Sequence, residues 1–176
     1  SEQTPPAPIV EGSALLAQAS IGQFDVRATP LQMALVAAGI ANRGDIMQPH
    51  VVDRVTDSND DELLARVEAQ LWRQAVVPEV AVATEAMMVG VVETGSAQSL
   101  ARNNLTVGAK TGTAEIDTFS GAEDTHAWVI AFAGPSGGEP ELALAVIVEA
   151  VPGQGQQTGG AVAGPIAASL IDTHFG

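Results

Sequence analysis

The sequence predicts an α+β domain of the α/β sandwich type, in which helices cover an antiparallel sheet. Helix-like segments dominate the first part of the 176 residues, and apolar strand-like runs follow. The connections between those runs are too short for the crossovers that parallel strands need, so the strands are expected to be antiparallel. The hydrophobic content of 46% is ample for a core beneath such a sheet.

The clearest predicted helix spans residues 30–43. Thr29 is a good N-cap, Pro30 suits the first helical position, and Gln32 completes a capping box. Gly44 is expected to end the helix. The predicted buried stripe consists of Leu31, Ala34, Leu35, Ala38 and Ala41.

Three more elements are predicted before the sheet. Residues 49–55 are interpreted as a short strand, and residues 60–74 and 78–95 as helices. The predicted buried faces of these two helices are Leu63, Leu64, Val67 and Leu71 in the first, and Met87, Met88, Val91 and Val92 in the second. Residues 1–12 are rich in proline and are expected to be an extended lead-in to a single domain over residues 13–176.

The sheet is predicted to contain residues 106–115, 127–133 and 142–151, with residues 106–115 at one edge. A Gly/Pro-rich loop separates the last two runs, as in a β-hairpin. A final helix is expected at residues 160–172, where Pro165 either kinks the helix or marks its true start. Its predicted core side chains are Val162, Ile166, Leu170 and Ile171.

The charge and the missing cysteines exclude several function classes. Twenty-one acidic against seven basic residues give a net charge of −14, which argues against nucleic acid or an anionic membrane surface as a partner. The absence of cysteine excludes disulfides and thiol chemistry. His50, His126 and His174 lack the spacing of metal ligands, so no metal and no cofactor are predicted.

The only lysine, Lys110, opens the string Lys110-Thr111-Gly112-Thr113. Strand alternation places Lys110 and Gly112 on one face, with Thr111 and Thr113 on the other. On an edge strand beside a cleft, Lys110 would offer a fixed positive charge and Gly112 a close approach to the backbone. The Thr113 N–H would point at a developing oxyanion, and both threonine hydroxyls would hold a substrate carboxylate.

Two observations limit what this string means. The tripeptide Lys-Thr-Gly is short enough to occur by chance, and an exposed lysine on a strand commonly serves solubility. A Ser-x-x-Lys nucleophile is absent, because Val107 stands three residues before Lys110, and no Ser-x-Asn occurs. The string is therefore at most one part of a serine acyl-transfer site.

The surroundings of the string resemble the class B penicillin-binding proteins, in an actinobacterial-type form. The stretches Ser20-Ile21-Gly22-Gln23 and Thr29-Pro30-Leu31-Gln32-Met33-Ala34 are similar to the segment between the second and third motifs of that family. The stretch from Gly159-Gly160 to Pro165-Ile166-Ala167 resembles its C-terminal helix. The resemblance extends from about residue 13 to the end and implies part of the penicillin-binding transpeptidase, or serine β-lactamase-like, fold.

The resemblance implies peptidoglycan D,D-transpeptidation for a longer protein that contains this chain. Lys110 and Thr113 would be catalytic, while Thr111, Gly112 and Thr113 would bind the D-Ala-D-Ala stem peptide or a β-lactam antibiotic. No cofactor is implied. The expected location is the extracytoplasmic face of the bacterial membrane, with an anchor upstream of this chain.

Both missing motifs lie upstream in that family, so the chain is expected to be a C-terminal portion that is inactive alone. Two alternatives stay open. One is a D,D-carboxypeptidase or β-lactamase-like hydrolase, and the other is a non-catalytic scaffold of a wall-synthesis or division complex. The apolar strand at residues 142–151 is also expected to self-associate, or to be covered by residues 1–12.

Overall fold

The structure is a computed structural model that describes residues 14–23, 26–57, 63–116 and 124–176. The α-helices of this part are α1 (Ala14–Ser20), α2 (Pro30–Ala41), α3 (Pro78–Thr94) and α4 (Gly164–Phe175). The strands are β1 (Asp45–Met47), β2 (Arg54–Thr56), β3 (Leu63–Arg66), β4 (Leu71–Gln74), β5 (Leu105–Glu115), β6 (Thr125–Pro135) and β7 (Leu142–Val148). A 3-10 turn (Gln98–Leu100) follows α3, and a π-helical turn (Gly159–Ala163) precedes α4.

The predicted antiparallel sheet is confirmed in the order β5-β6-β7, with β5 at one edge. Its register pairs Lys110 with Ile130 and Ala131 with Leu144. One face packs on α4 and the end of α3, where Val129 and Ile171 are buried. The other face packs on α2, where Ala37 and Phe132 are buried. The sheet is therefore the middle layer between helices, as the α+β prediction required.

The predicted start of α2 is also confirmed. The Gln32 N–H donates to Thr29 Oγ1 at 3.2 Å, and the Thr29 N–H donates to Gln32 Oε1 at 2.8 Å, so the capping box is complete. The predicted stripe was wrong at Leu31, which is 59% exposed, whereas Met33 and Ala37 face the core. Because α2 is apolar almost all round, the pattern alone does not select the buried face.

The helix predicted at residues 60–74 was wrong. Within the described residues this segment forms β3 and β4, which pair antiparallel with β2 and β1. Leu64 and Leu71, predicted as core, are 59% and 58% exposed. The apolar spacing that suggested a helix also fits two short strands, and the strand pairing decides between them. Residues 58–62 lie outside the described part of the chain.

The strand predicted at residues 49–55 was misplaced. The chain forms β1 and β2 instead, and residues 48–53 between them lie outside the strands. Pro49 has no N–H to give to a ladder, which explains a break at this point.

The two later helices fall where they were predicted. In α3, Met88 and Val92 are buried, but Met87 is 65% exposed and does not belong to the core face. Pro165 is the second residue of α4 and marks the start of the helix rather than a kink. Ala167 and Ile171 are buried, whereas Ile166 and Leu170, which were predicted as core, are 46% and 47% exposed.

A bidentate ion pair joins α4 to the turn before β5. Arg102 Nε and Nη2 donate to the Asp172 carboxylate at 2.5 and 2.7 Å. The hydrogen bond from Arg102 holds the pKa of Asp172 below its usual value and raises the pKa of Arg102. Because Asp172 is largely exposed, the pair orients α4 more than it stabilises the fold.

Candidate active site

The exposed part of the β5 edge begins at Lys110. Helix α3 packs against β5, and Val107 and Ala109 are buried in the first half of the strand. Lys110 and Thr113, in the second half, are exposed. The predicted site residues therefore occupy the stretch of this edge that a ligand can reach.

A cleft of about 230 Å³ opens beside this stretch. Its sheet side consists of Lys110, Thr111, Gly112, Thr113, Ala114, Trp128 and Ile130, and its opposite side of Ile21, Gly22, Val26, Ala28 and Met33. A Cβ on Gly112 would lie 3.3 Å from Trp128 Cβ, so the absence of a side chain at Gly112 leaves space in the cleft beside Trp128. The cleft is mostly apolar, and Lys110 is the one cation among the described residues that line it.

Lys110 is available for an anion. Its Nζ donates to the Thr111 carbonyl oxygen at 2.5 Å, which holds the ammonium at the strand edge. Among the described residues, no carboxylate lies within salt-bridge distance of it. In a chain of net charge −14, this cation gives the edge a local affinity for a carboxylate.

The two threonines are held differently. Thr111 Oγ1 lies 2.6 Å from Ser96 Oγ, just after the end of α3, so its hydroxyl already has a partner. Thr113 has both backbone polar groups on the free edge, since in an antiparallel ladder the N–H and C=O of one residue point the same way. The Thr113 N–H therefore points away from β6, on the same side as the Thr113 carbonyl.

A contact that the sequence did not reveal closes the edge beyond Thr113. Gln23 Nε2 donates to the Thr113 carbonyl at 3.1 Å, and the Glu115 N–H donates to Gln23 Oε1 at 3.3 Å. Gln23 lies in the stretch that carried the family resemblance, but nothing in its spacing indicated a contact across 90 residues. Ser96 was missed in the same way, 15 residues from its partner.

Glycines support the strand from behind. A Cβ on Gly159 would lie 2.1 Å from the Trp128 carbonyl oxygen and 2.7 Å from the Gly112 carbonyl oxygen. A Cβ on Gly160 would lie 2.3 Å from the Ser96 carbonyl oxygen. The π-helical turn therefore rests directly on the backbone of the candidate site.

His126 has a structural partner rather than a place in the cleft. Its Nδ1 accepts the Ala150 N–H at 2.9 Å, and the neighbouring Thr125 Oγ1 bonds to the backbone of Gln157. These bonds fix the loop after β7 against the start of β6. No group of three or more potential metal-ligating side chains occurs within the described ranges.

The edge of β5 thus combines Lys110, for which the described residues offer no carboxylate partner, with the outward Thr113 N–H and an adjoining cleft. The penicillin-binding protein transpeptidase domain family matches residues 5–172. The chain belongs to this family.

Close relatives come from mycobacteria. The peptidoglycan D,D-transpeptidase PbpA of Mycolicibacterium smegmatis is 40% identical over 164 residues, which cover 93% of this chain and 32% of that protein. The crystal structure of PBPA from Mycobacterium tuberculosis matches with a TM-score of 0.77 and 36% identity, over 94% of this chain and 38% of that one. The imipenem acyl-enzyme complex of penicillin-binding protein A from M. tuberculosis matches with a TM-score of 0.74 and 34% identity. That match covers 92% of this chain and 34% of the other. The chain thus spans about a third of the length of these relatives.

Proposed function

We propose that this chain forms the Lys-Thr-Gly wall of a peptidoglycan D,D-transpeptidase that β-lactams acylate. The observation that carries the proposal is the exposed edge from Lys110 to Thr113 beside the cleft, with a cation that has no carboxylate partner among the described residues. The names of the mycobacterial relatives and the acyl-enzyme complexes of one of them support it.

In the proposed reaction, a serine oxygen attacks the penultimate D-Ala carbonyl of a stem peptide. A bond forms between that oxygen and the carbonyl carbon, the peptide C–N bond breaks, and the terminal D-Ala leaves with a proton on its nitrogen. The amine of a neighbouring stem peptide then attacks the ester, which restores the serine and completes the cross-link. A β-lactam enters the same groove and stays as an acyl adduct.

Each site residue has one role in this proposal. Lys110 attracts the terminal carboxylate and organises the site, and the Thr113 N–H stabilises the oxyanion. Thr111 and Thr113 hold the carboxylate, with the Thr111 hydroxyl oriented by Ser96. Gly112 lets the ligand backbone approach the strand.

The nucleophile is assigned to residues outside these 176. The sequence contains neither Ser-x-x-Lys nor Ser-x-Asn, and the chain spans about a third of its relatives. We propose that residues 13–176 are the C-terminal portion of the transpeptidase domain. An oxyanion donor without nucleophile and base has no covalent step to stabilise, so the chain alone is not the catalyst.

Replacing Lys110 with alanine in the complete protein tests the proposal. A charge hydrogen-bonded to an anionic ligand is worth about 1.5–3 kcal/mol, so β-lactam acylation is expected to fall roughly 10–150-fold. Stopped-flow acylation with a fluorescent penicillin measures this rate, and thermal melting checks the fold. Arg73→Ala, which removes one exposed cation in β4, is the matched control and should leave the rate unchanged.

Unchanged acylation in Lys110→Ala, with normal melting, would mean that this lysine serves only solubility. Product analysis with stem peptides separates the remaining alternatives. D-Ala release without cross-links would identify a D,D-carboxypeptidase or β-lactamase-like hydrolase. A complete protein that forms no acyl adduct would identify a scaffold.

For location and partners, we propose the extracytoplasmic face of the bacterial membrane, where the stem peptides are cross-linked. Within the part of the chain that the structure describes, no helix has the length and apolar character to span a bilayer. Other wall-synthesis or division proteins are the proposed macromolecular partners.

The outer edge of β7 is a second proposed contact. In the described residues β7 pairs only with β6, and a groove of about 640 Å³ runs beside it, between α2 and the start of β7. Apolar open edges recruit partners, so this chain is expected to self-associate, as light scattering would measure. Ile147→Pro removes one outward N–H and should reduce association, whereas Ile147→Ala keeps it. Residues 1–12, the alternative cover predicted for this edge, lie outside the described residues. A monomeric wild-type chain whose 142–151 edge is open to solvent would contradict self-association.

A further inference from the structure

The contact of Gln23 with β5 has the geometry of a strand pairing. Its carboxamide donates to the Thr113 carbonyl and accepts from the Glu115 N–H, the two outward groups that flank Ala114. One residue of a parallel neighbouring strand makes this same pair of bonds. The side chain therefore stands in for a peptide group on the free edge.

The occupied groups lie where an acyl-donor peptide would continue. With the ligand carboxylate at Lys110 and the oxyanion at the Thr113 N–H, the residues on the N-terminal side of the scissile carbonyl run alongside Thr113 and Glu115. An extended ligand in this position would donate its own backbone N–H to the Thr113 carbonyl. Gln23 Nε2 holds that acceptor at 3.1 Å.

The segment that carries Gln23 allows its side chain to leave the β5 edge. Gly22 precedes it with φ of 81°, a conformation that glycine adopts freely, and a Cβ there would meet nothing within 4 Å. Ile21 and Gly22 are exposed, and both contribute to the cleft. The carboxamide can therefore leave the edge without displacing a packed core.

We propose that Gln23 is a specificity-determining residue of the site, which holds the Thr113 carbonyl until the backbone N–H of an acyl-donor peptide replaces it. The inference rests on the proposed function, because the direction of the ligand along β5 follows from that reaction. In the empty site the same contact keeps an open edge from pairing with another strand. A donor that has the N–H must compete with Gln23, and a donor that lacks it does not.

Hydrogen exchange of the Glu115 amide tests the contact in the chain itself. Gln23→Ala removes the acceptor and should speed exchange about fivefold, the effect of one lost neutral hydrogen bond. Gln23→Glu still accepts from the Glu115 N–H but cannot donate to the Thr113 carbonyl, so protection should persist. Gln18→Ala, an exposed glutamine in α1, is the matched control and should change nothing.

Acylation of the complete protein tests the competition. Two peptides ending in D-Ala-D-Ala are compared, identical except that one is N-methylated at the penultimate D-Ala amide and has no N–H for Thr113. Gln23→Ala and Gln23→Glu should both raise the acylation rate of the unmethylated peptide about fivefold. The rate of the N-methyl peptide should stay the same.

The outcomes separate this inference from the proposed function. Equal effects of Gln23→Ala on both peptides would give Gln23 a merely structural role and overturn the inference. Glu115 exchange that is as fast in the wild type as in Gln23→Ala would overturn it as well. A wild-type complete protein that neither peptide nor a penicillin acylates would instead overturn the proposed function, whatever the exchange data show.

Discussion

Replacing Gly159 with alanine is expected to lower the free energy of unfolding by about 3 kcal/mol, at the upper end for overpacking a tight site. The added methyl would lie 2.1 Å from the Trp128 carbonyl oxygen, 2.7 Å from the Gly112 carbonyl oxygen and 3.0 Å from the Gly112 N. All three neighbours are backbone atoms of paired strands, so no side chain can rotate away. The π-helical turn would have to separate from β5 and β6, and the turn leads into α4.

Urea unfolding of the chain measures this effect. Gly90→Ala is the matched control, because Gly90 lies within α3 and a Cβ there would meet nothing within 4 Å. That change should stabilise the protein by up to about 1 kcal/mol, the helix propensity difference between alanine and glycine. Similar midpoints for Gly159→Ala and wild type would show that the turn does not rest on the strands as described.

Gly159→Ala should also disturb the candidate site, because the backbone of Gly112 would have to move away from the added methyl group. In the complete protein we expect slower β-lactam acylation together with the lower stability. Loss of stability with full acylation would mean that the turn shifts alone and the strand edge stays in place.

Local sequence signals predicted the elements whose stability is local. The capping box at Thr29 and Gln32 fixes the start of α2 through residues three apart, and the structure contains it. The hairpin of β6 and β7 follows from two apolar runs with a short connection, and its pairing is confirmed. These features need no knowledge of the rest of the chain.

The ribbon of β1 to β4 could not be predicted because no local rule separates it from a helix. Leu64 and Leu71 have helical spacing, yet both are exposed in short strands whose pairing partners lie earlier in the chain. The pairing is a tertiary preference that overrides propensity.

In the candidate site, too, some features were predicted from local sequence and others depend on tertiary contacts. The position of Lys110 on an edge strand was predicted from the short connections between the three strands and from the hairpin composition. Ser96, Gln23 and Gly159 act through hydrogen bonds or packing between segments that are distant in sequence, and a single sequence carries no sign of such contacts. What supports and limits the site is therefore visible only in three dimensions.

The second large effect is expected at Asp124, which is 0% exposed. Its two carboxylate oxygens accept the N–H groups of Gly153 and Gly155 at 2.9 and 2.8 Å. Both glycines have positive φ, 82° and 77°, a conformation that other residues rarely adopt. Without the carboxylate, the loop after β7 would lose both of these hydrogen bonds at the point where it returns to β6.

Asp124→Ala should therefore lower the free energy of unfolding by about 3 kcal/mol, since each hydrogen bond to a charged acceptor contributes about 1.5–3 kcal/mol and the loop relaxes in part. Asp124→Asn keeps one acceptor but turns an NH₂ group towards the other N–H, so an intermediate loss is expected. Glu149→Ala removes an exposed acid near the same loop and should change stability by less than about 0.5 kcal/mol. Urea midpoints give the order of the three variants. Equal losses for Asp124→Ala and Glu149→Ala would mean that net charge, and not the two glycine N–H bonds, sets the contribution of this carboxylate.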